Sequence, residues 1–204
     1  EYNRYFKYQE HQDLLNAPAV IEEVEQRFAQ VFGRRYPGLV EAVQCEDADY
    51  VLVTLGSAAG LVRTVVESLR AQGLRVGLLR IRYLRPLPTV VLAAALGNAK
   101  AVAVLEKDVS FGAEGTVFTN VNSALQQAGV RVPTYDFIGG LGGDDITPVQ
   151  VEAIFRTLVR FVSEGAEVPR VSFLGIDGTP GDAASAASPK DLASDACRNV
   201  KEEN

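Results

Sequence analysis

Short, unbroken apolar runs alternate with longer amphipathic stretches through the middle of this 204-residue chain. Four of the apolar runs predict strands, and a fifth near residue 171 is interpreted as an added edge strand. Apolar residues at helical spacing predict helices between the strands. The predicted strands cover 50–55, 76–81, 101–105, 135–138 and 171–174, and the predicted helices cover 61–71, 89–96, 116–128 and 148–162.

The start of the last of these helices carries the strongest local signal in the chain. Thr147 is a candidate N-cap, Pro148 occupies the first helical position and Gln150 completes a capping box. The predicted strands are apolar throughout rather than alternating, which indicates that both faces of the sheet are covered. Helices that intervene between such strands favour a mostly parallel sheet. We therefore predict an α/β fold, a three-layer α/β/α sandwich, over residues 47–165.

The segment before the predicted sandwich, residues 1–46, combines an aromatic arm with a helix. The helix is predicted over 16–32, with Pro18 in its first turn. A free terminus gains nothing from a cluster of aromatic rings, so we expect the arm to pack on its own domain or on a neighbour. The aromatic residues of the arm are Tyr2, Tyr5, Phe6 and Tyr8.

The segment after the sandwich, residues 166–204, begins with the added edge strand. From residue 175 onwards it is rich in Gly, Ala, Ser and Asp and contains almost no large apolar residue. A stretch of this composition buries too little apolar surface to offset the entropy of ordering it. We therefore predict a disordered tail.

The composition of the chain excludes several classes of function, chiefly through the residue types that are scarce. The net charge is −6, which argues against a nucleic-acid-binding protein with a concentrated basic face. One histidine and two cysteines are too few for a His-based metal cluster, an iron–sulfur cluster or a structural zinc site. The two cysteines are far apart, so we expect unpaired thiols and a reducing cytoplasm. No signal peptide or membrane span is predicted, and the absent methionine indicates that the chain is part of something larger.

Ligands of parallel α/β sheets bind beyond the carboxyl ends of the strands, where four loops of this chain are predicted to lie. The loop after the first strand opens a helix but lacks the G-x-G-x-x-G spacing and the lysine of a P-loop. Its small residues therefore serve either a ligand or the close approach of helix and strand. We assign to these loops eight candidate ligand or interface residues: Gly56, Ser57, Arg82, Arg85, Lys107, Gly112, Gly139 and Gly140.

The charged residues of these loops each have a structural alternative to chemistry. The arginines near the exit of the second strand, with Arg80 among them, either grip an anion or pair with a partner subunit. The run from Glu106 to Asp108 is interpreted as a solvated ion pair rather than a substrate-orienting group. Asp144 and Asp145 are interpreted as helix-dipole partners rather than cation ligands. His11 is interpreted as a surface residue, so we predict no catalytic and no metal-binding residues.

Several separate blocks, taken in order, nevertheless resemble one enzyme family. They are Phe6-Lys7-Tyr8-Gln9, residues 48–57, residues 76–86, residues 103–108 and residues 137–143. Together they resemble the C-terminal half of the alpha subunit of pyruvate:ferredoxin oxidoreductase and its 2-oxoacid relatives. The resemblance covers residues 5–162.

The resemblance implies a domain like the C-terminal domain of transketolase, with a mostly parallel five-stranded sheet in which one strand is antiparallel. It further implies a parent enzyme that oxidatively decarboxylates a 2-oxoacid to an acyl-CoA on thiamine diphosphate and Mg²⁺. Electrons then pass through iron–sulfur clusters to ferredoxin. In the family these cofactors are held by other domains or subunits, so none is expected in this chain. The chain is then expected to be a structural and assembly domain, inactive alone, whose partners are those other domains and subunits.

Two other functions are compatible with the same residues. A stand-alone nucleotide- or coenzyme A-binding module would use the loops at 56–60 and 112–115. A purely structural dimerisation domain would need neither loop. Neither alternative involves nucleic acid or a membrane.

Overall fold

The computed structural model describes residues 2–176, and these form a six-stranded sheet covered by helices on both faces. The prediction of an α/β/α sandwich is confirmed. The strands are β1 (Val40–Val43), β2 (Tyr50–Leu55), β3 (Val76–Ile81), β4 (Ala101–Glu106), β5 (Thr134–Ile138) and β6 (Val171–Phe173). The helices are α1 (Tyr2–Phe32), α2 (Ala58–Ala71), α3 (Thr89–Leu96), α4 (Thr116–Gln127) and α5 (Pro148–Glu164), with a short 3₁₀ turn at Leu141–Gly143.

The sheet has the spatial order β1-β3-β2-β4-β5-β6. All neighbouring strands are parallel except β1, which runs antiparallel to β3 and pairs Val40 with Ile81. The expected count of five strands is wrong because it omits β1. That strand is only four residues long and carries Glu41 among its apolar residues, so it gives no apolar run. β1 lies before the boundary predicted at residue 46 and belongs to the sheet.

Alternation along the strands divides the core into two layers. Leu52 faces the layer that α2 and α5 cover, whereas Val51 and Val53 face the layer that α3 and α4 cover. The central strand β4 is buried along its whole length. This burial on both faces explains why the strands read as continuous apolar runs.

The ends of α5 are set by the residues that the sequence singles out. The Thr147 hydroxyl accepts the Gln150 N–H, and the Gln150 side chain accepts the Thr147 N–H at 2.8 Å, which confirms the predicted capping box. At the other end Gly165 adopts a left-handed conformation, with φ of +65°. Such a residue at this position ends a helix.

The N-terminal segment is a single 31-residue helix rather than an arm followed by a helix. Pro18 lies inside α1 and not in its first turn. The four aromatic side chains of the arm are at least half exposed: Tyr2, Tyr5, Phe6 and Tyr8. The expected packing of the arm on its own domain is therefore wrong. Packing on a neighbour remains a prediction.

A few polar contacts tie the second half of α1 to the sheet. Glu25 accepts the Gly38 N–H at 2.8 Å and also accepts a hydrogen bond from Arg82, which follows β3. The Arg82 guanidinium also lies 5.4 Å from the centre of the Tyr36 ring. The carboxyl-terminal half of α1 is therefore attached by the partly buried Glu25–Arg82 ion pair and by the hydrogen bond from Gly38.

The remaining sequence predictions fall at the end of the described chain. The edge strand at 171–174 is confirmed as β6, which pairs with β5. The predicted tail from residue 177 onwards, together with Cys197, lies outside the described residues. Among helices within residues 2–176, none is both long enough and apolar enough to span a bilayer.

Candidate functional site

The strand order creates a cleft at the middle of the sheet. From β2 the chain crosses to β3 on one side, and from β4 it crosses to β5 on the other. Where connections diverge in this way, a crevice opens beyond the carboxyl ends of the two central strands. The crevice here has a volume of about 370 Å³. We call it the switch-point cleft.

Three loops and the start of one helix form the walls of the switch-point cleft. Gly56 and Ser57 follow β2, Leu84 follows β3, and Lys107 follows β4. The beginning of α4 closes the remaining side with Thr116. The structure thus brings together three of the eight candidate residues, from loops that are far apart in the sequence.

The loop that opens α2 lines one side of the switch-point cleft. Gly56 has a φ of +69°, which glycine adopts readily and which turns the chain from β2 into the helix. Ser57 occupies the N-cap position, but its side chain makes no capping hydrogen bond. The loop therefore offers the cleft a hydroxyl group and the first backbone N–H groups of α2.

Two of the glycine candidates pack closely on their surroundings and lie beside the cleft rather than in its lining. A Cβ atom added to Gly140 would lie 2.9 Å from Cε of Lys107, so the lysine side chain crosses the Gly140 backbone. A Cβ atom added to Gly139 would lie 3.0 Å from Cδ1 of Leu174. Gly139 and Gly140 therefore allow the loop after β5 to approach Lys107 and Leu174.

The arginines after β3 have different surroundings. Arg82 binds Glu25 and the Gly38 carbonyl within the chain, and Arg80 lies 3.4 Å from the Glu41 carboxylate. Arg85 is exposed and donates to the Leu84 carbonyl at 2.8 Å. The structure gives Arg80 and Arg82 internal partners, while their predicted contact with an anion or a partner subunit remains a prediction.

Two carboxyl groups, Glu106 at the end of β4 and Asp136 in the middle of β5, lie on the face covered by α4. The strand register pairs Val104 with Asp136, so Glu106 is the diagonal neighbour of Asp136 on that face. Glu106 accepts the N–H groups of Val117 and Phe118 at 2.8 and 2.9 Å. The interpretation of Glu106 as part of a solvated ion pair is therefore wrong, because its side chain is buried and fixes the first turn of α4.

Asp136 is fully buried and belongs to the same group of contacts. Its Oδ2 accepts the Gly115 N–H at 2.7 Å, and its Oδ1 has no hydrogen-bond donor around it. Burial, reinforced by the neighbouring Glu106 charge, raises the pKa of Asp136 to about 7. Burial also raises the pKa of Glu106. We therefore expect the two carboxyl groups to hold one proton between them at neutral pH.

Gly115 is required where α4 begins. A Cβ atom there would lie 2.2 Å from the Glu106 carboxyl carbon, so any side chain would displace the carboxyl pair. Sequence reasoning did not single out Asp136 or Gly115. The available signal was an isolated aspartate inside the apolar strand Tyr135-Asp136-Phe137-Ile138.

The described residues do not fit a bound metal or iron–sulfur cluster. Cys45 is the free cysteine of this region, and its buried thiol donates to the Leu78 carbonyl at 3.1 Å. Burial raises the pKa of the Cys45 thiol to about 11, so the thiolate that a metal needs is disfavoured. Within residues 2–176 no group of three His, Cys, Asp or Glu side chains is placed to hold a metal ion. His11 is exposed, as predicted.

Comparison with known proteins identifies similar sequences over the same region. The family model described as "Pyruvate:ferredoxin oxidoreductase core domain II" matches residues 48–151. The chain is 40% identical over 150 residues to pyruvate synthase subunit PorA of Methanothermobacter thermautotrophicus, covering 74% of this chain and 38% of that protein. It is 40% identical over 149 residues to ketoisovalerate oxidoreductase subunit VorA of Pyrococcus horikoshii, covering 73% of this chain and 38% of that protein.

The structural comparison gives a related match. A solved 2-oxoglutarate:ferredoxin oxidoreductase from Magnetococcus marinus is 25% identical and superposes with a TM-score of 0.47. The match covers 65% of this chain and 21% of that one. The chain thus spans less than two fifths of the length of the two curated relatives.

Proposed function

This chain belongs to the pyruvate:ferredoxin oxidoreductase core domain II family, and we propose that it is a structural and assembly domain in the alpha subunit of a 2-oxoacid:ferredoxin oxidoreductase. The observation that carries the proposal is the family match over residues 48–151, which spans β2 to β5 and the start of α5. The similar curated proteins named above are themselves subunits of oxidoreductases. We further propose pyruvate as the 2-oxoacid, since one of these relatives is a pyruvate synthase subunit.

In this proposal the whole enzyme forms an acyl-CoA by oxidative decarboxylation on thiamine diphosphate and Mg²⁺, and iron–sulfur clusters pass electrons to ferredoxin. The donor set of the described residues does not fit the metal ion or the clusters, so other domains or subunits would hold them. Coenzyme A and ferredoxin would then be partners of the whole enzyme. The buried free thiol of Cys45 is compatible with the reducing cytoplasm in which we place it.

Reconstitution of the whole enzyme tests this function. The complete subunit that contains this chain is co-expressed with its partner subunits, and pyruvate- and coenzyme A-dependent reduction of ferredoxin is measured without oxygen. We expect activity from the assembly and none from the 204-residue chain alone. Ketoisovalerate and 2-oxoglutarate serve as alternative substrates that test the choice of pyruvate. Failure of the subunit to co-purify with its partners would contradict the assembly role.

The switch-point cleft favours a second candidate function, a nucleotide- or coenzyme A-binding module. Its position beyond the carboxyl ends of β2 and β4 is where such folds bind ligands. Calorimetric titration of the chain with coenzyme A, adenine nucleotides and thiamine diphosphate distinguishes the two functions. Tight binding by the chain alone would favour the module over the assembly domain. A Ser57→Leu variant, which fills the cleft, is the matched control and should lose that binding.

A further inference from the structure

Four exposed large apolar side chains lie at the carboxyl-terminal end of the sheet, apart from those that α1 exposes along its length. Leu55 ends β2, Val90 lies in the first turn of α3, Phe111 lies in the loop after β4, and Val149 begins α5. Each follows a different parallel strand, so all four lie at the carboxyl-terminal edge of the sheet. We call these four residues the apolar edge. Val162, which is 37% exposed, lies near the opposite end of α5.

Phe111 is the most exposed residue of the apolar edge, at 97% of its full surface. It lies in a tight turn in which the Ala113 N–H donates to the Ser110 carbonyl at 2.8 Å. Gly112 follows Phe111 with a φ of +82°, a conformation that this turn position requires and that glycine supplies at little cost. The turn therefore holds the ring away from the rest of the domain.

The base of the same loop is also fixed. The Ser110 N–H donates to the Glu114 carbonyl at 3.2 Å, and the Glu114 carboxylate pairs with Arg170 at 2.9 Å. The loop then joins α4 at Gly115, whose backbone N–H donates to the Asp136 carboxyl group. A side chain presented by a fixed loop loses little conformational freedom when a partner covers it.

Single exposed apolar residues are normal on protein surfaces. Four that share one edge, with an almost fully exposed phenylalanine among them, are instead typical of an interface. Charged residues surround them, with Arg85 and Lys107 exposed on one side and Asp144 on the other. An apolar centre with a charged rim is the usual anatomy of a protein interface.

We propose that the apolar edge, with Phe111 as its anchor, docks into an apolar pocket in the remainder of its own subunit. This inference rests on the proposed function. The matched stretch covers 38% of the curated relatives, so in a subunit of that length most of the polypeptide lies outside it. A domain on the same polypeptide is present at an effective concentration of about a millimolar. A small apolar surface is therefore sufficient for it, whereas a separate chain would need a larger one.

Photo-crosslinking in the complete subunit tests the docking. The photoreactive residue p-benzoylphenylalanine is placed at Phe111, or at Val162 as the matched exposed control on the opposite side. We expect a cross-link from position 111 to a peptide of the same polypeptide outside the 204-residue chain, and none from position 162. A cross-link from position 111 to a second copy or to another subunit, or no cross-link, would overturn the inference.

A substitution provides an independent measurement. Phe111→Ser should leave the melting temperature of the 204-residue chain unchanged, because the ring makes no contact that folding needs. In the complete subunit the same change should lower the hydrogen-exchange protection of residues 107–115 by about tenfold. Equal hydrogen-exchange protection of residues 107–115 in the wild-type and Phe111→Ser subunits would contradict the anchor role. These readouts need no enzyme activity, so a subunit that docks but does not oxidise pyruvate would contradict the proposed function alone.

Discussion

Replacing Asp136 with asparagine should change how the stability of this domain depends on pH. The wild-type carboxyl group is fully buried, binds the Gly115 N–H and lies beside Glu106. Asparagine has nearly the same shape, so its carbonyl oxygen can keep the bond to Gly115. Its amide group can donate to Glu106 in place of the shared proton. The substitution therefore removes a titrating group and retains the hydrogen bonds.

The size of the effect follows from the pKa of Asp136 in the two states. Burial raises it to about 7 in the folded chain, against about 3.9 in an unfolded chain. Between these values the folded state holds a proton that the unfolded state has released, so the free energy of unfolding falls as the pH rises. At about 1.4 kcal/mol per pKa unit, the wild type loses at most about 4 kcal/mol by pH 7. Above pH 7 this contribution stays constant.

The difference between variant and wild type isolates this contribution. Urea unfolding is followed by circular dichroism at intervals from pH 4 to pH 8.5. We expect the unfolding free energy of Asp136→Asn, relative to wild type, to rise between pH 4 and pH 7 and then to level. Asp145→Asn replaces an exposed aspartate and should run parallel to wild type throughout.

Two outcomes would refute the reasoning. If the difference between Asp136→Asn and wild type is independent of pH, the two buried carboxyl groups do not share a proton. If the difference falls as the pH rises, the pKa of Asp136 is lowered by folding rather than raised. Carbon-13 resonances of the carboxyl groups report the same titration directly and identify which residue holds the proton.

Three further predictions concern packing, thiol chemistry and α1. Gly115→Ala should lower the free energy of unfolding by about 1–3 kcal/mol, because its methyl group would overlap a buried carboxyl group. Gly60→Ala is the control, because its methyl group would point into open space and should not lower the free energy of unfolding. Equal effects of the two substitutions would contradict the close packing around Gly115. The Cys45 thiol, with a pKa of about 11, should react with a disulfide reagent about 100-fold more slowly in the folded chain, and rapid labelling of the Cys45 peptide would oppose its burial. A double-mutant cycle on Glu25→Ala and Arg82→Ala should give a coupling of about 1–3 kcal/mol, with faster hydrogen exchange in α1; additive effects would show that the pair does not hold the helix.

The strands that are buried on both faces could be predicted from the sequence. β2, β3 and β4 are buried on both faces, so their apolar runs identify them without further information. β1 was not predicted, because an edge strand of four residues depends on its partner β3 for its hydrogen bonds. The extent of α1 was underestimated because its aromatic residues suggested a packed arm, whereas the helix exposes them.

The candidate site was partly predictable for a similar reason. Glycine-bearing loops after parallel strands lie at one edge, so Gly56, Ser57 and Lys107 all line the switch-point cleft, while their role as ligand or interface residues stays a prediction. The roles of charged residues were not predictable, because the sequence does not show which partner each one meets. Along the chain, Glu106 is grouped with its neighbours Lys107 and Asp108. In the fold it binds α4 and lies beside Asp136, thirty residues away.

The sequence by itself determined the layer architecture, the order of most elements and the family, because apolar periodicity and ordered motifs are properties of the chain. Only the tertiary structure decided the strand order, the buried carboxyl pair and the apolar edge. Each of these depends on residues that are distant in sequence and become neighbours only when the strands pair. Burial then sets their chemistry: it raises the pKa of Asp136, whereas Phe111 is left almost fully exposed.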